Sequence, residues 1–253
     1  MKRRILLTIE YDGTNYSGWQ IQKNGPSIQE EIEKALLKAE KSRICVTGAS
    51  RTDAGVHALC QRAHFDTQSK IPVFKYPFVL NTLLPYDISV SNAMQVPGDF
   101  NARFCAESKT YTYRIYNSRQ RSALKERFFW HVPLELNMDK MQEAAFALLG
   151  EHDFTAFSAA GGTHKSPVRK IYSIDLTKDK HDIAVRVSGS GFLYNMVRII
   201  AGTLVQAGLN KISKSDIERA FITGDRRLLG ATAPAKGLEL TEVNYPKESF
   251  LLE

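Results

Sequence analysis

Gly48-Ala49-Ser50-Arg51-Thr52-Asp53-Ala54-Gly55-Val56-His57-Ala58 places one carboxylate, Asp53, in a run of small residues with a guanidinium two positions before it. A short apolar run at 44–46 precedes this stretch, and Leu59, Gln61, Ala63 and Phe65 follow it with period two. The pattern reads as a loop between two strands. A carboxylate displayed in that way is where a fold can hold a nucleophile against a substrate. The alternative is that Asp53 only caps a turn, as loop aspartates commonly do.

Outward from this loop, strands and helices alternate. Residues 4–10 alternate as a strand, and a loop rich in Gly and aromatics follows at 11–20. Ser27 opens a helix, with Glu30 three residues later as the partner of a capping box. Ile28, Ile32, Ala35, Leu36 and Ala39 form its apolar face. A short helix at 76–84 and a strand near 88–96 complete the first half. In the second, 110–116 reads as a strand with Tyr111, Tyr113 and Ile115 on one face. Asn137 caps a helix that runs to Leu149 and stops at Gly150. Residues 170–177 and 182–188 form a hairpin, an apolar helix spans 192–207, a smaller helix covers 214–222, and 238–245 is a last strand. Two successive sets of strand, helix and strands indicate an α+β chain. The expected halves are 1–105, carrying the Asp53 loop, and 106–253, with a cleft between them suited to a site.

The charge balance is +7, with a sequence pI near 9.2. Basic residues gather at Lys2-Arg3-Arg4, at Arg119, Arg121, Lys125 and Arg127, at Lys165, Arg169 and Lys170, and at Arg226-Arg227. Interleaved with 13 Phe and 10 Tyr, these groups favour a nucleic-acid partner over an acidic small molecule. The three cysteines show no C-x-x-C pair, which points to reduced, mostly buried thiols in a cytoplasmic protein. The start has too short an apolar run for a signal peptide, and no stretch is long enough to span a bilayer.

Several chemistries lack their motifs. There is no phosphate-binding G-x-x-x-x-G-K-[ST], no H-E-x-x-H, no Cys/His cluster and no G-x-S-x-G. Gly189-Ser190-Gly191 reads as a tight turn, and His57 as a structural histidine. What remains is an aspartate, arginines and tyrosines. An ionised carboxylate can attack C6 of a uracil ring or C1′ of its ribose, and a nearby arginine keeps it unprotonated. To reach a base inside a stem, a protein extrudes it against an aromatic ring, with Arg and Lys on the flanking phosphates.

The 48–58 segment closely resembles the signature loop of the tRNA pseudouridine synthase A family. The resemblance extends nearly end to end. It includes Tyr11-Asp12-Gly13-Thr14-Asn15-Tyr16-Ser17-Gly18-Trp19-Gln20, Phe100-Asn101-Ala102-Arg103-Phe104 and Lys109-Thr110-Tyr111-Thr112-Tyr113. Leu149-Gly150-Glu151-His152-Asp153-Phe154-Thr155 and Phe192-Leu193-Tyr194-Asn195-Met196-Val197-Arg198 follow in the same order. The resemblance implies a pseudouridine synthase fold, α+β, with two α/β halves sharing a mainly antiparallel sheet around a basic cleft. It also implies a cytoplasmic homodimer that isomerises uridine to pseudouridine at positions 38–40 of the tRNA anticodon stem-loop, with no metal or organic cofactor and no membrane partner.

Residue by residue, Asp53 matches the family's nucleophile and Arg51 the arginine that contacts RNA and flips the base. Tyr111 matches the tyrosine that stacks on the uracil, and Arg198 the arginine that pairs with the catalytic carboxylate. Phe100, Arg103 and Phe104, with His164 and Lys165 from the 161–165 loop, match tRNA-contacting segments. Asn101 stands where a histidine is frequent and Cys105 where a serine is usual, departures that bear on substrate choice. Taken without the resemblance, Tyr111 reads more often as core or interface than as catalytic, and Arg198, a charge inside an apolar helix, calls for a buried partner, for which Asp53 is a candidate and a structural ion pair the alternative. A paralogue acting on a different RNA and a non-catalytic RNA-binding protein are the alternatives. The first is separated by mapping the modified uridines, and the second by turnover.

Overall fold

The computed structural model describes residues 2–23, 25–162 and 165–250. The chain divides into two compact units, one of residues 1–108 with 239–253, the other of residues 109–238. The fold is α+β, and the sheet of each unit is mainly antiparallel.

In the first unit, β1 (Arg3–Tyr11) lies between β3 (His57–Thr67) and β4 (Ile88–Val96), antiparallel to both. On β1, Ile5, Leu6, Leu7 and Ile9 are all buried, as a strand paired on both sides and packed on both faces requires. Two-residue β2 (Thr47–Gly48) adds to β3. The last strand, β10 (Leu238–Asn244), returns to this unit and runs parallel to β3 through Glu239 and Leu240. Helix α1 (Ile28–Glu40) buries Ile28, Ile32, Ala35 and Leu36, the face its spacing predicts. Short α2 (Tyr76–Asn81) packs on α1 and β4.

In the second unit, β5 (Ser108–Asn117) pairs with β9 (Asp182–Gly189), β9 with β8 (Val168–Asp179) and β8 with β7 (Gly150–Asp153), all antiparallel. Short β6 (Trp130–Val132) lies parallel to β5. Helix α3 (Met138–Phe146) packs on α4 (Met196–Gly208), whose side chains are buried nearly all round, and α5 (Lys214–Thr223) lies against α3.

Several expectations are corrected. The 44–46 run is not a strand; Ile44 and Val46 are buried in an irregular approach to β2. Period two fails at Leu59, which is about half exposed while Ala58 is buried. The cause is a bulge in the β1–β3 pairing, where Ile9 faces Gln61 but Tyr11 faces Ala58. One extra residue on β3 reverses which side chains point inward. At α1, Ser27 Oγ accepts from Glu30 N–H at 3.3 Å, but the Glu30 carboxylate pairs with Lys34 at 3.0 Å. The complete capping box lies at Ser213 and Asp216, at the start of α5. The apolar helix begins at Met196 rather than 192, because Asn195 is left-handed at φ 60°. Cys45 is exposed, and Cys60 and Cys105 are half-buried, so the thiols are not the mostly buried ones expected.

Gly202 in α4 packs directly on the backbone of the 229–233 segment; a Cβ there would lie 1.8 Å from Ala231 O. Gly202→Ala is expected to cost about 3 kcal/mol or more by overpacking a backbone contact that cannot yield. Urea denaturation measures it, and an unchanged midpoint would show that the segment moves aside freely.

Candidate active site

The Asp53 loop is pinned from beneath by the side chain of Gln61, among others. Gln61, fully buried on β3, accepts from Ser50 N–H at 3.2 Å and donates through Nε2 to Ser50 O at 2.8 Å. Thr52 is held by its hydroxyl, 2.7 Å from Tyr11 Oη, and by its carbonyl, which accepts from Trp19 N–H at 3.0 Å. That close approach requires Gly18, whose φ is +97° and whose Cβ would stand 2.5 Å from Thr52 O. Beyond Asp53 the chain turns back, with Val56 N–H donating to Asp53 O at 3.1 Å and Gly55 N–H to Tyr16 O at 3.3 Å. His57 is buried, with Nδ1 3.1 Å from Gly13 N and able to accept its proton, which is a structural role. Ala49, Ser50, Thr52 and Val56 are buried, while Asp53 is half-exposed and Arg51 exposed. The buried residues of the loop thus flank a half-buried Asp53 and an exposed Arg51.

Arg103 lies in the same unit, close enough to Arg51 that the second charge helps lower its pKa, after partial desolvation as the larger cause. Among the described residues, neither guanidinium has a carboxylate partner. Its turn is built by Asn101, whose Oδ1 accepts from Arg103 N–H at 2.9 Å and Phe104 N–H at 3.2 Å. Phe104 is 79% exposed, with the Arg103 guanidinium 5.7 Å from its ring centre. Phe100 is placed differently. It is 3% exposed and packs against Tyr245 and Phe250, with ring centres 5.1 and 5.9 Å away. It supports this turn from inside and does not present a surface to a ligand.

In the second unit, Tyr111 on β5 is 7% exposed, with Phe192 edge-on to its ring at 5.2 Å. Arg198, half-buried on α4, donates from Nε to Ala233 O at 2.7 Å and from Nη1 to Asn195 Oδ1 at 2.6 Å. Lys165 is exposed, and His164 lies outside the described residues.

The basic groups separate on inspection. Arg4 forms a two-point pair with Asp66 at 2.7 and 2.9 Å, and Lys2 adds to it at 2.8 Å. Bonding to Arg4 first, then to Lys2, holds the Asp66 carboxyl well below its ordinary range. Lys125 is paired with Asp182, and Arg227 with Asp225 at 2.8 Å. These four cations are held by carboxylates of the chain, whereas Arg103 has the like charge of Arg51 nearby.

The sequence profile described as tRNA pseudouridine synthase matches residues 7–105 and 144–246. The chain belongs to the tRNA pseudouridine synthase family. Curated relatives of this synthase family span the chain. "tRNA pseudouridine synthase A" of Ruminiclostridium cellulolyticum is 52% identical over 96% of this chain and 100% of its own length. The proteins of that name from Caldicellulosiruptor bescii and Thermoanaerobacter sp. are 46% and 43% identical, each over 96% of this chain and 100% of its own. Among solved structures, a Cbf5-Nop10-Gar1 complex matches 96% of this chain and 58% of that chain, at 15% identity and a TM-score of 0.38.

Gln61, which holds Ser50, and Asn195, which holds Arg198, were not singled out in the sequence. Gln61 carried a signal, since it is a carboxamide at an inward position of an apolar strand and a buried amide needs partners. Gln61→Leu is expected to lower stability by about 2 kcal/mol or more, because it leaves both Ser50 backbone groups unpaired in a buried place. Chemical denaturation checks this, and a variant as stable as the parent would mean the loop is held by other contacts.

Proposed function

We propose that the protein converts uridine to pseudouridine in tRNA, at positions 38–40 of the anticodon arm, with Asp53 as the nucleophile. Family membership supports the reaction, and the Asp53 loop supports the nucleophile. Asp53, half-buried, stands on a loop whose backbone is bonded to Gln61, Trp19 and Tyr16, beside the exposed Arg51. A pre-set nucleophile needs little reorganisation when substrate arrives.

In the isomerisation the N1–C1′ bond breaks, uracil turns, and a C5–C1′ bond forms. The C5 proton is lost and N1 gains one, so the product has the atoms of the substrate. Asp53 attacks C1′ or C6 to release or hold the base. Tyr111, braced edge-on by Phe192, stacks on the uracil, and its phenol takes part in removing the C5 proton. Arg198 keeps the catalytic carboxylate ionised and oriented. Arg51 and Arg103 contact RNA phosphate or base, Phe104 offers a stacking face next to Arg103, and Lys165 adds a phosphate contact. Phe100 acts by supporting the Arg103 turn. The resemblance also carries the reading of a cytoplasmic homodimer, which sedimentation of the purified protein tests for the second part.

Asp53→Asn is expected to abolish pseudouridine formation on a tRNA transcript while tRNA affinity stays within about threefold, since the swap is isosteric and leaves the phosphate contacts in place. Measurable turnover would remove Asp53 from the chemistry. Affinity for tRNA is expected to fall about tenfold or more between 50 and 200 mM salt. A flat response, followed by filter binding, would contradict recognition through phosphates.

A further inference from the structure

Arg198 is held at two points within its own unit, and one of them has an unusual origin. Asn195 sits just before α4 at φ 60° and ψ 7°, and its side chain makes no bond to the helix N–H groups that a residue in this place ordinarily serves. Its Oδ1 accepts instead from Arg198 Nη1 at 2.6 Å. The left-handed backbone, which Asn tolerates better than most residues, turns the carboxamide away from capping and onto the guanidinium.

The other point is the Ala233 carbonyl, 2.7 Å from Arg198 Nε, and it is fixed from two sides. Ala233 N–H donates to Arg198 O at 3.1 Å. The adjoining Pro234 carbonyl accepts from the buried Tyr113 hydroxyl at 2.7 Å. Further back in the segment, Gly230 N–H donates to Thr203 Oγ1 at 3.1 Å, and that hydroxyl donates to Ile199 O at 2.8 Å. Two acceptors in different directions stop a planar guanidinium from turning, so its other N–H groups are presented in one direction.

We infer that Asn195 is a positioning residue that aims the Arg198 guanidinium for the reaction. This rests on the reading of Arg198 as a catalytic group. Asn195 touches no reacting atom; it acts by fixing the fork, so its loss should reduce turnover rather than substrate binding.

The test uses the full-length protein with tRNA transcript. Asn195→Gly removes the acceptor while keeping a residue that adopts φ 60° without strain. Its kcat is expected to fall about tenfold or more, as loss of a hydrogen bond to a charged group implies, with KM changed less than about threefold. In an Arg198→Lys background, Asn195→Gly is expected to cost less than about twofold more, because its target is gone. Asn195→Ser, too short to reach, replaces the Gly variant if that melts below the assay temperature. Parent-like turnover of Asn195→Gly or Asn195→Ser beside an inactive Arg198→Ala overturns the inference and leaves the proposed function standing. Multiplicative losses in the double variant also overturn it. An active Arg198→Ala removes the catalytic reading of Arg198 and the inference with it.

Discussion

One buried carboxamide carries the candidate site of the first unit. Gln61 meets both backbone groups of Ser50, and nothing smaller or less polar could do so. The bulge between β1 and β3 lies beside it, so the strand changes phase between the Gln61 position and the end of the loop. Gln61 can therefore face the loop from below while Ala58, three residues earlier, still packs in the core. A buried amide with unmet bonds would be a heavy penalty. With Ser50 as partner it becomes a constraint on where residues 50–53 run, and so on where a carboxylate is displayed.

Electrostatics separates structural charge from charge left for a ligand. Asp66, Asp182 and Asp225 each take up basic side chains close in space, and the positive total of the chain overstates what an RNA would meet. Arg103 is different, since burial first and the nearby charge of Arg51 second both disfavour its charged form. A protein keeps such a pair where an anion offsets the repulsion.

Much of the fold was legible because periodicity reports burial. The buried face of α1, the β8–β9 hairpin and the strand at 88–96 follow from spacing that the packing left intact. The failures have local causes. The bulge on β3 opposite Glu10 reversed the parity of that strand, a cross-strand event invisible in either strand alone. The helix at 192–207 starts late because apolar content continues through Leu193 while Asn195 leaves the helical region. Phe100 looked like a ligand contact because it belongs to an aromatic and basic motif, yet three dimensions bury it and expose Phe104. Basic clusters could be counted in the sequence, but their acidic partners lie far along the chain, as Asp66 does from Arg4 and Asp182 from Lys125.

The central claim is that the loop sets the position of the Asp53 carboxylate, beyond merely supplying one. Asp53→Glu keeps the charge and adds a single methylene, so it isolates placement from chemistry. The measurement is the rate of tritium release from tRNA labelled at C5 of uridine, since forming the C5–C1′ bond expels that hydrogen. A carboxylate fixed from beneath by Gln61 and moved outward by about 1 Å should turn over at least about 10²-fold more slowly. Release at the parent rate would show that the loop adapts to its side chain and that its rigid backing does not set the nucleophile.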